Sequence, residues 1–576
     1  MTDARPTLTA RQTSALNSAY AALKAGRAAE AVETLRPVLG GGLVHADAYW
    51  LFATACRATG DLAGARTALN AAINLDPANA TFWSALGDLL EQMGHMATAL
   101  VARSRAYERA PDDAGMAFSL ADLALRLGDG AAAEGPMRHM LLRDAGSPRA
   151  RHALAIALRL QSRSADALAV IAPLGERADA PAESAALHAH LLAETGDFDG
   201  AVGAYRKVTA RHPLFIDAQE SLARLLPQLG RADEALDQYA AALDSQPADP
   251  GFWSNALATA RKLRQFDRLT EWADRAARAF PGDKAIQALA ADARGHAGDP
   301  AAALDALKPL AIGDANAALL AAHWALALGD GAAASDHAGE ALRLSPDSVT
   351  AWAYQGTAWR LLGDDRAAWL NDYDRLTTSL MLEAPPGYSS LAEFLEVLAT
   401  ALDGMHLARD HPADQSLRGG TQTSGHLFLR DNAHVAALGL QLHRQIEGWL
   451  AGLPTDASHP FLRRNSRRIL FRHSWSVRLR GQGFHISHIH QDGWLSSAFY
   501  VRLPATVGST GEGGLPQGAL TLGAPDASLG LDLGPERVMV PRPGMLALFP
   551  SHVWHGTTPF DGTEPRLTVA FDAVPA

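Results

Sequence analysis

Apolar and polar positions follow two different rhythms along this chain. From about residue 10 to residue 383 they fall into short helical runs, broken by turn residues at a regular interval. Glycines end such runs at Gly26, Gly60, Gly94 and Gly128, each 34 residues after the last. The series passes over Ser162, resumes at Gly196 and Gly230, passes over Arg264 and returns at Gly298. A unit shortened by three residues then gives Gly329, and a full step gives Gly363. Five residues after these positions stands a small residue: Ala31, Ala65, Ala99, Ala133, Ala167, Ala201, Ala235, Ala303, Ala334 and Ala368, with Leu269 the one exception. Pro77, Pro111, Pro213, Pro247, Pro281 and, further on, Pro346 mark unit ends. After "MLEAPPGYSS" the period is lost at a Pro385-Pro386-Gly387 break. Two helical stretches come next, roughly 389–404 and 431–452. Beyond residue 465 the pattern becomes short alternating runs with Gly and Pro between them: "WSVRLRG", "LSSAFYVRLP", "GALTLGAP", "ERVMVP", "GMLALFP" and "PRLTVAFD". Short strands so spaced predict an antiparallel sandwich or barrel. The expected class is α+β multidomain, an all-α solenoid over 10–383 and then a β-domain over 384–576.

Each repeat marker has a physical reason. Glycine permits the tight turn that ends a first helix. Alanine lets two helices approach closely. Proline cannot continue a helix and ends the second one. Helix, turn, helix and break in 34 residues resembles the tetratricopeptide repeat, and "FWSALGDLLEQMGHMATALVARSRAYERAPD" is similar to that family's consensus. About eleven units fit, two or three of them degenerate. The resemblance implies a superhelix whose concave groove holds a peptide or protein partner; a rigid scaffold or an oligomerisation surface is the other use of such arrays. Trp83, Trp253 and Trp352, near the starts of first helices, read as packing, and His188 and His190 as surface residues.

Composition narrows the function classes. The chain has 576 residues, 48% hydrophobic and 20% charged, a soluble globular composition. No run of roughly 18 apolar residues suggests a membrane span, and the start, Met1-Thr-Asp-Ala-Arg-Pro, lacks the pattern of a secretory signal. The single cysteine, Cys56, excludes an intrachain disulfide and a cysteine-based metal cluster, which fits a reducing, cytoplasmic location. A net charge of -11 argues against nucleic acid as a general partner. The sequence leaves the oligomeric state open.

Candidate chemistry concentrates in the last third, which holds 12 of the 22 histidines. In "GFHISHIHQDGWLSSAFYV" three possible metal ligands fall at alternate positions, His488, His490 and Asp492. Residues i and i+2 of an extended strand share a face, so two neighbours can reach one cation. A distant candidate is His555, and Arg566 comes after it on the last predicted strand. His485 and His552 are not expected to be ligands: His485 is out of parity with His488 and should point to the other face, and His552 precedes the final turn. "GSTGEGGLPQG" at 508–518 lacks the ending of a phosphate loop and reads as a flexible loop. "RRNSRR" at 463–468 reads as a solvated face.

This layout resembles the double-stranded β-helix (jelly-roll, cupin-like) dioxygenases that use Fe(II), 2-oxoglutarate and O2. Residues 384–576 look like the 2-oxoglutarate–Fe(II) oxygenase family often fused to tetratricopeptide repeats, on "QSLRGGTQTSGHLF" at 415–428, "HIHQDGWLSSAFYV" at 488–501, "PGMLALFPSHVWHGTTP" at 543–559 and "RLTVAFD" at 566–572. They are also similar to the aspartyl/asparaginyl hydroxylases, which pair helical repeats with a similar barrel. The resemblance implies three ligands on one face of the iron, with the opposite positions free for cosubstrate and oxygen. It assigns Arg566 to the far carboxylate of 2-oxoglutarate, which its guanidinium fork matches. Thr568, two residues on, and Tyr500 are candidates for the same pocket. Two ligand sets stay open: His488, His490 and His555, or His490, Asp492 and His555. The implied activity is hydroxylation of a peptide or protein brought by the repeats. The alternatives are a repeat scaffold whose oxygenase-like domain is inactive, and a cupin-like metal enzyme without 2-oxoglutarate.

Overall fold

The structure is a computed structural model that describes residues 8–245, 247–407, 415–423 and 425–576. The first residues, where a leader would stand, lie outside the described residues, as does Ser424 of the 415–428 stretch. The chain divides into two compact units, Met1–Leu191 and Leu192–Ala576.

In the first unit, helices succeed one another from Ala10 onward as antiparallel neighbours. The turn glycines Gly26, Gly60, Gly94 and Gly128 all have positive φ, between 73° and 87°. Where the series lacks glycine the backbone still takes the same turn, for Ser162 has φ 58°. A side chain in that region costs about 1–2 kcal/mol, so the repeat geometry overrides local preference there. Asp61 and Asp129, each just after a turn glycine, cap the next helix by accepting from Gly64 N and Ala132 N. Ala31, Ala65, Ala99, Ala133 and Ala167 are wholly buried, so paired helices meet across a methyl group. His188 departs from its expected surface position. It is buried and His190 half-buried, because the helix Ala182–Glu194 is covered on more than one side, with every residue from Ser184 to Ala189 buried.

The second unit continues the repeat. Gly196, Gly230, Gly298, Gly329 and Gly363 take positive φ, and Arg264 does so where glycine is missing. Ala201, Ala303 and Ala334 are wholly buried, but Ala368 is exposed. The second helix of that last unit is cut to Arg366–Leu370, with nothing left to pack against the methyl. The tryptophans have a role besides packing. The indole N–H of Trp253 donates to Pro247 O at 2.9 Å and that of Trp352 to Pro346 O at 2.9 Å, as Trp83 does to Pro77 O at 3.0 Å in the first unit. Each thus fastens the break before its own helix, and of the three only Trp253 is fully buried.

Among the described residues the strands are β1 (Thr378–Met381), β2 (Leu417–Gln422), β3 (Ile469–His485), β4 (Leu495–Arg502), β5 (Leu520–Leu522), β6 (Arg537–Met539), β7 (Met545–Pro550), β8 (His555–Thr557) and β9 (Arg566–Pro575). They form an antiparallel sheet of order β1-β7-β4-β9-β3-β2 and a smaller sheet of order β6-β5-β8. The first strand precedes the Pro385-Pro386-Gly387 break and pairs with β7. Alternation along β9 sets the two faces of the large sheet. Leu567, Val569, Phe571 and Ala573 join a core with Phe394, Leu398, Leu438, Leu442 and Ile446 of the helices Leu391–Asp403 and Ala433–Gly452. Each large apolar side chain contributes about 1.5–3 kcal/mol when fully buried. Arg566, Thr568 and Asp572 take the opposite parity. There Tyr500, Ala547 and Phe549 of the large sheet pack against Leu520 and Leu522 of the small one. The α+β class expected from the sequence is the observed one. Among the described residues no helix is long and apolar enough to cross a membrane.

Candidate metal centre

Three histidines converge between the sheets. His488 lies just past the end of β3, and His555 opens β8. Their backbones form a two-bond antiparallel bridge, His488 N–H to His555 O at 2.9 Å and His555 N–H to His488 O at 3.0 Å. Facing residues of such a pair carry their side chains on one side, and the two ring centres lie 4.1 Å apart. Gly556 permits this approach, since a Cβ there would stand 2.9 Å from His485 O. The ring of His490 lies 5.0 Å from that of His488 and 4.9 Å from that of His555. One ring nitrogen from each of His488, His490 and His555 falls within 4.8 Å of the others.

Hydrogen bonds determine which nitrogens face inward. His488 Nδ1 is 2.8 Å from Ile486 O, and His555 Nδ1 is 3.0 Å from Val553 O. A carbonyl only accepts, so both Nδ1 atoms carry the proton and both Nε2 atoms present lone pairs. His490 Nδ1 meets the carboxylate of Asp572 at 2.6 Å. The Nε2 atoms of His488 and His490 then face each other at 3.0 Å. Two lone pairs so placed repel unless a cation lies between them. Burial pulls His488 down to about 3 and holds His555 well below the ordinary histidine range. Both rings are therefore neutral near pH 7, the form that ligates a metal.

The other candidates sit elsewhere. Gly493 N–H closes a turn onto His490 O at 3.2 Å. The strand alternation ends there, and Asp492 is exposed on that turn, outside the three-histidine group. His485 does not point away as its parity suggested. Regular strand stops at that residue, and its ring stacks 5.9 Å from that of His488. Ser416 Oγ links the two, 2.9 Å from His485 Nδ1 and 3.1 Å from His488 Nε2. His552 is buried beside Trp352, Phe461 and Trp494 and is not part of the group.

Arg566, Thr568 and Tyr500 come together on the inner face. Tyr500 of β4 is the register partner of Thr568 of β9, and the Arg566 guanidinium lies 5.1 Å from the centre of the Tyr500 ring. Arg566 is 2% exposed, donates from Nη1 to Gly518 O at 3.0 Å, and its buried Nε has no hydrogen-bond partner. The Tyr500 hydroxyl is buried too, and its polar neighbour there is the Arg566 guanidinium. A desolvated guanidinium is costly unless an anion meets it. Burial pushes Arg566 down from its ordinary value and Tyr500 up. The pair suits a carboxylate, as the resemblance implies. Gly518 ends the 508–518 loop. Backbone bonds tie Gly508 N–H to Gln517 O and Gly511 N–H to Leu515 O.

The repeats of the same unit hold both histidine segments. Ile489, between His488 and His490, and Trp554, next to His555, pack with residues of the helices Ala315–Ala327 and Val349–Leu362. The Trp554 ring stacks on that of Tyr354. Arg360 donates to Gly523 O and Gly534 O, so the 523–534 loop is anchored on the first helix of the last, shortened repeat. Arg463 binds Pro346 O and Asp347, which makes part of the 463–468 patch a contact rather than a solvated face.

Sequence reading missed Asp572, Ser416 and Trp554. Asp572 has the same parity on β9 as Arg566 and Thr568, a signal available once that strand is assigned. Ser416 and Trp554 depend on strand pairing and on the repeat contact, which local pattern does not reveal.

Comparison with known proteins bears on the domain and the repeats. The family model described as "Putative 2OG-Fe(II) oxygenase" matches residues 473–572. Two repeat models, "TPR repeat" and "Tetratricopeptide repeat", match residues 53–94 and 186–250. No curated protein matches. Among solved structures the chain is similar to "Structure of Naa15/Naa10 bound to HypK-THB", at 19% identity, 69% of this chain and 68% of that one, with TM-score 0.34. It is similar to a tetratricopeptide repeat protein from Parabacteroides merdae, at 16% identity, 42% of this chain and 97% of that one, with TM-score 0.31. It is similar to yeast Tom70 at 14% identity, 62% of this chain and 89% of that one, with TM-score 0.28. Likenesses at these TM-scores carry no argument about function. By its family matches, the chain joins tetratricopeptide repeats to a C-terminal domain of the 2OG-Fe(II) oxygenase family at residues 473–572.

Proposed function

We propose that the chain is an Fe(II)- and 2-oxoglutarate-dependent oxygenase that hydroxylates a peptide or protein segment recruited by its repeats. The observation that carries this reading is the inward set of three ring nitrogens on His488, His490 and His555, each ring fixed by a bond at Nδ1. These residues would hold Fe(II). Arg566, with Tyr500 and Thr568, would hold the far carboxylate of 2-oxoglutarate. The chemistry supplied when metal, cosubstrate and O2 are bound is oxidative decarboxylation of 2-oxoglutarate to succinate and CO2, coupled to oxygen insertion into a C–H bond. The protein's own part is ligation, orientation and exclusion of water. Phe549, 4.6 Å from the His555 ring, walls the site on its apolar side. A polypeptide substrate is favoured because repeat helices pack directly on Ile489 and Trp554. A cytoplasmic location accords with the single buried, free cysteine.

Incubation of the purified chain with Fe(II), 2-oxoglutarate and a peptide pool tests this. The expected result is iron-dependent succinate formation that His555→Ala abolishes. Absence of succinate from a chain that binds repeat ligands would favour the scaffold reading. Succinate-free oxidation indifferent to Arg566→Ala would favour a metal enzyme without 2-oxoglutarate.

A further inference from the structure

The three-histidine set differs from the two-histidine, one-carboxylate triad in charge. Three neutral imidazoles leave a bound divalent cation at its full charge in a buried site. One of the rings, however, is bonded differently from the others. His488 and His555 donate to backbone carbonyls, whereas His490 Nδ1 lies 2.6 Å from Asp572 Oδ1. Asp572 is 5% exposed. Its Oδ1 also accepts from Ser496 Oγ at 2.8 Å, and Ser496 Oγ is 2.8 Å from Ser551 Oγ. No lysine or arginine among the described residues pairs with this carboxylate; its one ion-pair partner is His490. A buried anion without a cation of its own is costly, and its nearest site for positive charge is the space in front of the His490 ring. That ring is clamped further by Trp475, stacked at 5.5 Å and 26°.

Resting on the metal-centre reading under Proposed function, we propose that Asp572 is the positioning anion of the centre. It holds His490 through Nδ1 and delivers, through that ring, the negative charge that the ligand set lacks. A carboxylate hydrogen-bonded to a ligating histidine raises the basicity of the ring and orients it. The carboxylate usual in the first coordination layer is here displaced by one imidazole.

Co(II) titration of the purified full chain, followed by visible ligand-field absorption, is the test, with thermal melts as the check on folding. Asp572→Asn keeps an oxygen that accepts from His490 Nδ1 but removes the charge. The wild type is expected to bind one Co(II), and Asp572→Asn to bind it about 10–100-fold more weakly with a shifted spectrum. Equal affinity and an unchanged spectrum in a folded Asp572→Asn protein would overturn the proposal while leaving the metal centre standing. No Co(II) binding by the wild type would remove the metal-centre reading and the proposal with it. If Asp572→Asn does not fold, Asp572→Ser decides. It keeps a hydroxyl oxygen near His490 but removes the charge, so a roughly tenfold or greater loss of Co(II) affinity is expected, and unchanged affinity would overturn the proposal.

Discussion

The indole N–H of Trp554 donates to Thr357 Oγ1 at 3.0 Å, across 197 residues of chain. It joins the neighbour of His555 to the first helix of the last, shortened repeat. With Ile489 packed against the same cluster, both histidine-bearing segments are seated on repeat helices. Thr357→Val leaves the indole N–H buried without a partner. The expected loss is about 1–3 kcal/mol of unfolding free energy, read by urea denaturation, with weaker Co(II) binding. Unchanged stability and affinity would show that the two segments hold their positions without this bond.

Gly556 faces the backbone of residues 485–487, and an added Cβ would come within 2.9 Å of His485 O. Gly556→Val should force apart the bridge that aligns His488 with His555. A destabilisation of about 1–3 kcal/mol is expected, together with loss of metal binding in the folded fraction. Differential scanning calorimetry and Co(II) titration read the two effects.

Arg566→Lys keeps the charge but not the fork. Hydrogen bonds to a charged group are worth about 1.5–3 kcal/mol, so 2-oxoglutarate binding should weaken roughly 10–150-fold with Fe(II) affinity little changed. Isothermal titration with 2-oxoglutarate in the presence of a redox-silent divalent metal measures this. An equal fall in both affinities would indicate a structural rather than a ligand-binding arginine.

Acid sensitivity arises from buried neutral histidines, at the centre and away from it, and two away from it show the size of the effect. Burial lowers His323 and His406 from 6.5 to about 4. Between those values the unfolded chain binds protons that the folded chain refuses, so stability is lost as pH falls from about 6.5 to about 4. For His323 alone the effect is roughly 3 kcal/mol. The melting temperature should drop across that window, and His323→Gln should flatten the drop. A melting temperature flat over that range would contradict the assignment.

The repeat was legible because glycine, alanine and proline each report a steric fact at a fixed spacing. Ser162 and Arg264 show its limit. The superstructure imposes left-handed φ there, where no residue signal announces it. Ala368 fails as a marker because its helix stops at Leu370, too short to lay the methyl against a partner. In the β-domain the longer strands were readable from alternation. Strands β1 and β8, of four and three residues, were too short to carry a period. His485 stays outside the three-histidine group, as its sequence position suggests, but faces His488, because parity holds only while the strand does and β3 stops at that residue. Asp572 lies within the family-like stretch at 566–572, yet its bond to His490 depends on a contact 82 residues apart in sequence.

The most direct measurement is the visible spectrum of the purified chain under anaerobic conditions as Fe(II) and then 2-oxoglutarate are added. A charge-transfer band that needs both additions, vanishes in His555→Ala and weakens in Arg566→Ala is expected. A wild-type spectrum unchanged by the pair would contradict a metal and cosubstrate centre at His488, His490 and His555.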